Sequence, residues 1–502
     1  MTVETTAALV AAAPTGAIFS VFEENDRVVR ITYGEQLARL RATAAALADL
    51  GVRRGDRVHV SLANGQEFLD VWFATAYLGA VLVPTNPRSS VVEFRHVLAD
   101  AAPAVTIASE DNADVLHAAG ASDPVIVGAG HHARNLAAGG GSVPEAPVSL
   151  SDPAAILYTS GTTSRPKGVI VTHANYLAVG RAVAKHLSIT ADDRWFIALP
   201  LFHANAQYYC TMSALVRGAS VAVAERFSAS RWGIQAAHLG ATLGSLFAAP
   251  IRMILSRPAA AGEAGLRAVL FAQNLSSTAA AEFENRFSTR LVQLYGMTET
   301  VLPPTINPDS SERRWDSIGP VQADVDLVLA DGDGNPVPDG QIGEIMVRGT
   351  LGGTIAAGYW RNPQATAETF DDGVLRTGDL AWRAVDGFLY FADRAKDMIK
   401  RSGENISASE VEGVAATHPA VAECAVVGIP DPVYDEAVML AVVLRAGFAA
   451  GVEEEIRRWC RERLATYKVP TVVKFVDDLP RTSVGKIRKA ELRTMYEADQ
   501  QG

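Results

Sequence analysis

The stretch LYTSGTTSRPKGVIVTH, Leu157 to His173, gathers groups able to hold phosphate. Ser160, Thr162, Thr163 and Ser164 carry hydroxyls, and Gly161 and Gly168 permit backbone conformations that other residues resist. Backbone N–H groups of such a loop can point at phosphate oxygens, and Lys167 adds a point charge. The Walker form requires Gly, four residues, then Gly-Lys-Ser/Thr. Here Pro166 stands where the second Gly belongs, and Lys167 is followed by Gly168. A kinase or GTPase of that kind is therefore disfavoured. A flexible Gly/Ser/Thr linker is the plain alternative, although a Lys beside a Pro is unusual in a linker.

Other residues could do chemistry. In RLVQLYGMTE an apolar run leads straight into Gly296, and α/β folds place their sites at such strand ends. That favours a function for Glu299 over a solvated loop carboxylate. Asp379 lies in RTGDL, where a turn Asp is the ordinary reading. Lys486 sits beside Gly485 in TSVGKIRK, and its default reading is an exposed solubilising lysine. Lys489 is read as just that. His203 follows the apolar run ALPLF and by itself suits a structural role.

The elements that must position these groups read as α/β. RVHVSL (Arg57–Leu62) reads as a strand, EFLDVWFATAYLGA (Glu67–Ala80) as a helix ending near Gly79, and VLVPTNP as strand and turn. AVTIAS and PVIVGAG continue the alternation, which signals layered αβ units with mainly parallel strands. AILYTS reads as a buried strand and VTHANYLAVGRAVAKHL as a helix, so the phosphate loop is expected between a strand and a helix. The Gly- and Pro-rich run 128–147 reads as a surface connection. From about Asp324 to 395, D-G and N-P turns separate short strands and predict a β-rich subdomain. EEEIRRWCRERLATYKVP places Ile456, Trp459, Cys460 and Leu464 on one helical face, with Pro470 as the stop.

The chain has 502 residues and 48% hydrophobic content, too much for one ordinary core. A formal charge of −11 argues against nonspecific nucleic-acid binding. Cys210, Cys424 and Cys460 are far apart and imply neither a disulfide framework nor a zinc site. The N-terminus lacks a basic region and is interrupted by Pro14, no apolar run is long enough to span a membrane, and a cytoplasmic location is expected.

Taken together, YTSGTTSRPKG, YGMTET (Tyr295–Thr300), RTGDL (Arg376–Leu380), DRAKDMIKRSGENIS (Asp393–Ser407) and PRTSVGKIRK (Pro480–Lys489) resemble, in order, the signatures of the adenylate-forming superfamily: acyl-CoA synthetases, adenylation domains of peptide synthetases, and luciferases. GVRRGDRV and GAVLVPTNP match the N-terminal texture, so the resemblance covers nearly the whole chain. It implies a large N-terminal domain, 1–395, and a small mobile α+β domain, 396–502, with Lys396 as hinge.

The resemblance also implies a reaction in two halves. A carboxylate attacks the α-phosphorus of ATP, giving acyl-AMP and pyrophosphate, and a thiol then expels AMP. Thr159, Ser160, Gly161, Thr162, Thr163 and Lys167 would handle the β- and γ-phosphates, Thr298 would bond a phosphate oxygen, and Glu299 would help hold Mg²⁺. Tyr295 could stack on adenine, beside Gly296. Asp379 and Arg394 would reach the ribose. Lys486 would be the adenylation lysine, placed where negative charge concentrates. A swing of the C-terminal domain would then bring Lys400, Arg401, Ser402 and Gly403 to the channel for coenzyme A. His203 would gate the carboxylate site, with Tyr208, Phe247, Gly296 and Met297 around the acyl group. Tyr209 and Trp232 lie in nearby stretches, where core packing is the competing role.

Three departures stand out. Ser164 replaces a usual Gly of the loop, Ala408 a usual Pro, and LFAQNLSST (Leu270–Thr278) the usual Gly-rich turn, with Asn274 as the substitute polar group near adenine. FAQNLS and RRWDSIG are most like the carnitine/crotonobetaine-type CoA ligases. An α-amino acid is not expected, because amino-acid-activating relatives carry an Asp near the His203 position. The resulting expectation is an AMP-forming acyl-CoA synthetase using ATP, Mg²⁺, coenzyme A and a small carboxylic acid. A separate acyl carrier protein as acceptor, a homodimer, and a binding protein without catalysis remain as alternatives.

Overall fold

A computed structural model of the chain describes residues 5–24, 27–128, 134–138, 141–159, 166–260, 262–263, 265–273, 275–394, 397–401, 404–431, 435–448, 451–481 and 487–501. They fall into two compact units: Met1–Leu327 with Val347–Arg376, and Val328–Met346 with Thr377–Gly502. The expected α/β class, with a smaller C-terminal α+β part, is what the structure has. Of the expected surface connection 128–147, residues 129–133 and 139–140 lie outside the described set. The expected hinge Lys396 also lies outside it.

In the first unit, one sheet runs in the order Thr305–Ile306, Leu291–Tyr295, Ala268–Ala272, Leu243–Phe247, Arg194–Ile197, Ser220–Val223, Ile18–Glu24, Arg27–Thr32. Its central pairs are parallel and its two outer pairs antiparallel. Parallel strands covered on both faces read as continuous apolar runs, as AVLFA and RWFI do. Trp232 packs in this core between Phe196, Phe283 and Phe287, so it is a packing residue.

The second sheet orders Val125–Ile126, Val105–Ala108, Arg57–Ser61, Val81–Pro84, Pro153–Thr159 and Lys167–Thr172. Its last pair corrects the sequence reading. Lys167–Thr172 is an antiparallel strand with Thr159 opposite Lys167, so the phosphate loop joins two strands of a hairpin. The helix begins only at His173, where Thr172 and Asn175 form a reciprocal cap. The run Val169-Ile170-Val171 is β-branched, and its pairing with Ile156 and Leu157 wins over helical spacing. The segment expected to meet phosphate is therefore flanked by two paired strands and does not open a helix.

The second unit contains a β-rich part. Thr377 Oγ1 bonds the Ile345 carbonyl at 2.7 Å, and residues Asp379–Arg383 pair with Leu389–Arg394. A further sheet orders Glu404–Ile406, Ile399–Arg401, Asp435–Leu444 and Val421–Asp431, with Val472–Phe475 parallel to Asp435–Leu444. Alternation sorts its residues by face. Val438, Leu440 and Val442 join one core with Val411, Ile456 and Cys460, and Ala437, Met439 and Ala441 join another with Leu479 and Leu492. The helix around Ile456 runs only Glu453–Arg461. It ends well before Pro470, and Trp459 is half-buried rather than core. Among the described residues no helix is long and apolar enough to cross a membrane.

Two buried histidines give the first unit an acid-sensitive core. His59 is fully buried with Nε2 2.8 Å from Thr85 Oγ1, and burial pushes its pKa down to about 3. Burial takes His173 to about 4, partly opposed by Asp152. Both are neutral when folded but bind protons near 6.5 when unfolded, so acid favours unfolding. Stability should be intact above pH about 6.5 and fall as the pH drops toward about 4. Urea midpoints across that range test this: His59→Asn should flatten the slope, and an unchanged slope would refute the assignment.

Candidate active site

The groups expected to meet the triphosphate sit on neighbouring elements of the first unit. Lys167 opens the strand Lys167–Thr172. Thr159, opposite it, is half-buried, while Ser160, Gly161, Thr162 and Thr163 lie outside the described residues. The strand Leu291–Tyr295 ends at the buried Tyr295 and leads into the turn Gly296–Thr300. That turn is closed on itself: Met297 N–H donates to Thr300 Oγ1 at 3.1 Å, and Thr300 N–H to the Met297 carbonyl at 3.2 Å. It delivers Glu299 inward with 5% exposure, so the solvated-carboxylate reading does not hold.

The segment Ala356–Trp360, far along the chain, ties these pieces together. Trp360 N–H donates to the Gly168 carbonyl at 2.7 Å, Ala357 N–H to the Ile170 carbonyl at 3.0 Å, and Ile170 N–H to the Gly358 carbonyl at 2.9 Å. On its other side Ala356 N–H donates to the Glu299 carbonyl at 3.0 Å. Within it the Tyr359 phenol donates to Glu299 Oε1 at 2.9 Å, and the Lys167 ammonium lies 4.6 Å from the centre of the Tyr359 ring. Burial, and then the nearby Glu299 charge, hold the Tyr359 phenol protonated well beyond its ordinary range. The loop before this segment is fastened by the cap of the His173 helix. Thr172 Oγ1 donates to the Gly352 carbonyl at 2.6 Å, and Asn175 Nδ2 to the carbonyls of Gly353 and Ile355 at 2.7 and 2.9 Å.

The neighbourhood of His203 is an eight-residue π-helix, Asn205–Met212, which spacing did not reveal. Such turns are rare and costly, and often mark functional sites. Here buried polar side chains hold the turn. Tyr176 Oη donates to Gln207 Oε1 at 2.5 Å, Gln207 Nε2 to the Leu201 carbonyl at 2.7 Å, and Ser245 Oγ to Asn205 Oδ1 at 2.9 Å. Asn64 braces the preceding loop, donating to the carbonyls of Leu199 and Ala224 and accepting from Leu201 N–H. His203 is half-buried with its ring 4.3 Å from that of Phe202. Tyr208 is fully buried and its phenol donates to the Thr298 carbonyl at 3.3 Å, so it braces the turn carrying Thr298. Phe247 and Met297 are half-buried nearby in sequence to these elements. Asn274 lies outside the described residues.

In the second unit Asp379 is 3% exposed and stands opposite Arg394 across a strand pair. It is thus a strand residue rather than an ordinary turn Asp, and a bulge between Leu380 and Ala381 follows it. Lys400 N–H donates to Glu436 Oε2 at 2.6 Å with the side chain exposed, and Arg401 reaches the Tyr467 carbonyl at 2.8 Å. Ser402, Gly403 and Lys486 lie outside the described residues. Lys489 corrects the sequence reading. Its side chain is 15% exposed and pairs with Glu412 at 2.9 Å. Burial alone opposes its charge, yet the carboxylates of Glu412 and Asp393 raise its pKa overall. It is an internal fastening for the start of the last helix, Lys489–Gln501.

The arrangement suits a polyanion held by a lysine, backbone N–H groups and one carboxylate-bound cation. Among the described residues no group of three or more His, Cys, Asp or Glu could hold a metal by themselves. A buried carboxylate such as Glu299 fits Mg²⁺, which takes one or two carboxylates and completes its shell with phosphate oxygens and water.

The sequence pattern of the AMP-binding enzyme family matches residues 7–360, and that of the AMP-binding enzyme C-terminal domain matches 410–486. This chain belongs to the AMP-binding enzyme family. The crotonobetaine/carnitine–CoA ligase of Salmonella typhimurium is 35% identical over 492 residues, covering 94% of this chain and 95% of the relative. That of Shigella flexneri is 36% identical over 486 residues, covering 93% of each. Among solved structures, ATP-bound MatB from Rhodopseudomonas palustris superposes with a TM-score of 0.88 at 28% identity, covering 98% and 99% of the two chains. The o-succinylbenzoate CoA synthetase of Bacillus subtilis, in complex with its acyl-adenylate, gives 0.87 at 28% identity and 98% of each. Members of this family bind ATP and AMP, so the ATP-using reading stands.

Gly296 offers a local test. A Cβ there would lie 2.7 Å from the Tyr209 hydroxyl, a close approach only glycine allows. Gly296→Ala should cost about 1–3 kcal/mol of stability, as overpacking does. Tyr209→Phe in the same background should recover most of it. A double-mutant cycle by urea denaturation measures this, and purely additive effects would contradict the contact.

Proposed function

We propose that this chain, an AMP-forming acid–thiol ligase, condenses a small carboxylic acid with ATP and passes the acyl group to coenzyme A. The observation that carries the reading is the junction of the Lys167 strand with the Glu299 turn through Ala356–Trp360. It brings the Lys167 ammonium and the buried Glu299 carboxylate to one tyrosine, Tyr359, from segments remote in sequence. In the first half-reaction an acid oxygen bonds the α-phosphorus and pyrophosphate leaves. In the second, the CoA thiol bonds the acyl carbon and AMP leaves. Lys167 and the loop hydroxyls orient the β- and γ-phosphates, and Thr298 donates to a phosphate oxygen. Glu299 holds Mg²⁺, which supplies charge neutralisation on the phosphates. Tyr295 and Asn274 border adenine, and Asp379 and Arg394 bind the ribose.

Lys486 stabilises the charge that builds between acid and α-phosphate. His203, Tyr208, Phe247, Gly296 and Met297 line the acyl side. For the second half-reaction the C-terminal domain turns about Lys396, withdrawing Lys486 and presenting Lys400–Gly403 to the pantetheine arm. A carrier protein's pantetheine is the alternative acceptor. The relatives favour an acid of the crotonobetaine or carnitine kind, and the aromatic faces of Tyr209 and Phe247 are the groups we assign to its ammonium.

The test is acid-dependent exchange of pyrophosphate into ATP over a panel that includes crotonobetaine, carnitine and benzoate. Product analysis with CoA and with carrier proteins runs alongside. Lys486→Ala should lose adenylation by about 10²–10³-fold while still passing a supplied acyl-adenylate to CoA. Equal loss of both steps would refute the separate duty of Lys486. Release of ADP rather than AMP would refute the reaction class.

A further inference from the structure

We propose that Tyr359 is a positioning residue for the cation-holding carboxylate: its phenol fixes the Glu299 side chain in the orientation that receives a divalent cation, while its ring seats the Lys167 ammonium. The proposal rests on the adenylation reading above and assigns a duty to a residue outside the motifs that suggested it.

Three sets of observations support it. First, the hydrogen bond from Tyr359 Oη to Glu299 Oε1, 2.9 Å, joins two buried side chains sixty positions apart. A directed donor restrains which way a buried carboxylate faces. Secondly, Tyr359 has little freedom of its own. Its N–H donates to Thr366 Oγ1 at 2.9 Å, its ring packs edge-on against Phe370 at 5.7 Å, and its backbone bridges to Val169. Gly358 just before it has φ +121°, and a Cβ there would meet Thr366 Cγ2 at 2.7 Å, so the chain is pressed against the helix Pro363–Thr369. Thirdly, the same five residues bond the Gly168 and Ile170 carbonyls on one side and the Glu299 carbonyl on the other. The spacing between the lysine strand and the carboxylate turn is thus set by the segment that carries the phenol.

A cation held by one carboxylate and otherwise by phosphate oxygens and water is sensitive to how that carboxylate faces. Removing the hydrogen-bond partner of a metal ligand typically costs about 10–100-fold in metal affinity. Tyr359→Phe removes only the hydroxyl and keeps the ring under Lys167. Tyr359→Leu removes both.

The test is direct titration of Mn²⁺, followed by electron paramagnetic resonance, into the full chain saturated with α,β-methylene ATP. Thermal melting and metal-free binding of the same analogue are measured beside it. Tyr359→Phe should weaken Mn²⁺ binding by about 10-fold or more while melting stays cooperative and metal-free nucleotide binding stays at wild type. Tyr359→Leu should weaken metal-free nucleotide binding as well, because Lys167 loses its seat. Glu299→Gln serves as the reference for loss of the carboxylate. If Glu299→Gln weakens Mn²⁺ binding and Tyr359→Phe does not, the inference is overturned and the reading of the site survives. If neither substitution changes it, Glu299 does not hold the cation, and the site reading falls together with the inference.

Discussion

A site for a triphosphate must bring cations and a metal-binding carboxylate close together before the substrate arrives, although each would rather be solvated or paired elsewhere. In the site proposed for this chain that constraint is met by one short extended segment, Ala356–Trp360. It acts as an extra strand along Lys167–Thr172 and at the same time closes a backbone hydrogen bond to Glu299. Backbone ladders are stiff and insensitive to side-chain rotamers, so they suit the task of fixing a distance. The Tyr359 side chain then adds what a ladder cannot, a directed bond to the carboxylate and an aromatic face for Lys167. The loop leading into the segment is fastened through the capping box at Thr172 and Asn175. The device that starts a helix therefore also locates the site.

The surroundings of His203, the proposed acyl side, are built on a different principle. The π-helix Asn205–Met212 widens the backbone and turns Tyr208 toward the Thr298 carbonyl. That geometry is unfavourable locally, and buried amides offset the cost. Gln207 accepts from Tyr176 and donates to Leu201, Asn205 accepts from Ser245, and Asn64 makes two bonds to the loop before it and a third to the Ala224 carbonyl. Polar groups in a core are expensive unless fully satisfied, and satisfied networks specify a single conformation. Here they specify the shape of the surroundings of His203.

The second unit shows how buried charge can serve precision rather than catalysis. Lys489 pairs with Glu412, which also accepts from Val426 N–H, while Asp393 accepts from Ser407 and Ser409. These bonds fix the start of the last helix against the strands Phe388–Arg394 and Val421–Asp431. A buried pair of this kind contributes little net stability but penalises any displacement that would separate its members.

The sequence by itself determined the fold class and the family, and it named the residues of the candidate site. Apolar runs and their breaks predicted a strand over Arg57–Leu62, a helix over Glu67–Ala80, a strand opening Val81–Pro87 and the strand entering Gly296, and the structure has them at Arg57–Ser61, Gln66–Tyr77, Val81–Pro84 and Leu291–Tyr295, because periodicity and glycine turns are local properties. The glycine-rich loop with Lys167, and the carboxylate after YGMT, were legible as residue types at short spacing. Only the tertiary structure decided that the segments flanking the loop pair as antiparallel strands, since a β-branched run after Lys167 carries no local mark of its partner Pro153–Thr159. It alone decided that Lys489 is internal and that Asp379 is a buried strand residue. Tyr359 was invisible for the same reason. Its partners Glu299 and Lys167 lie far up the chain, and a bond between remote residues leaves no period, spacing or composition for a sequence to display.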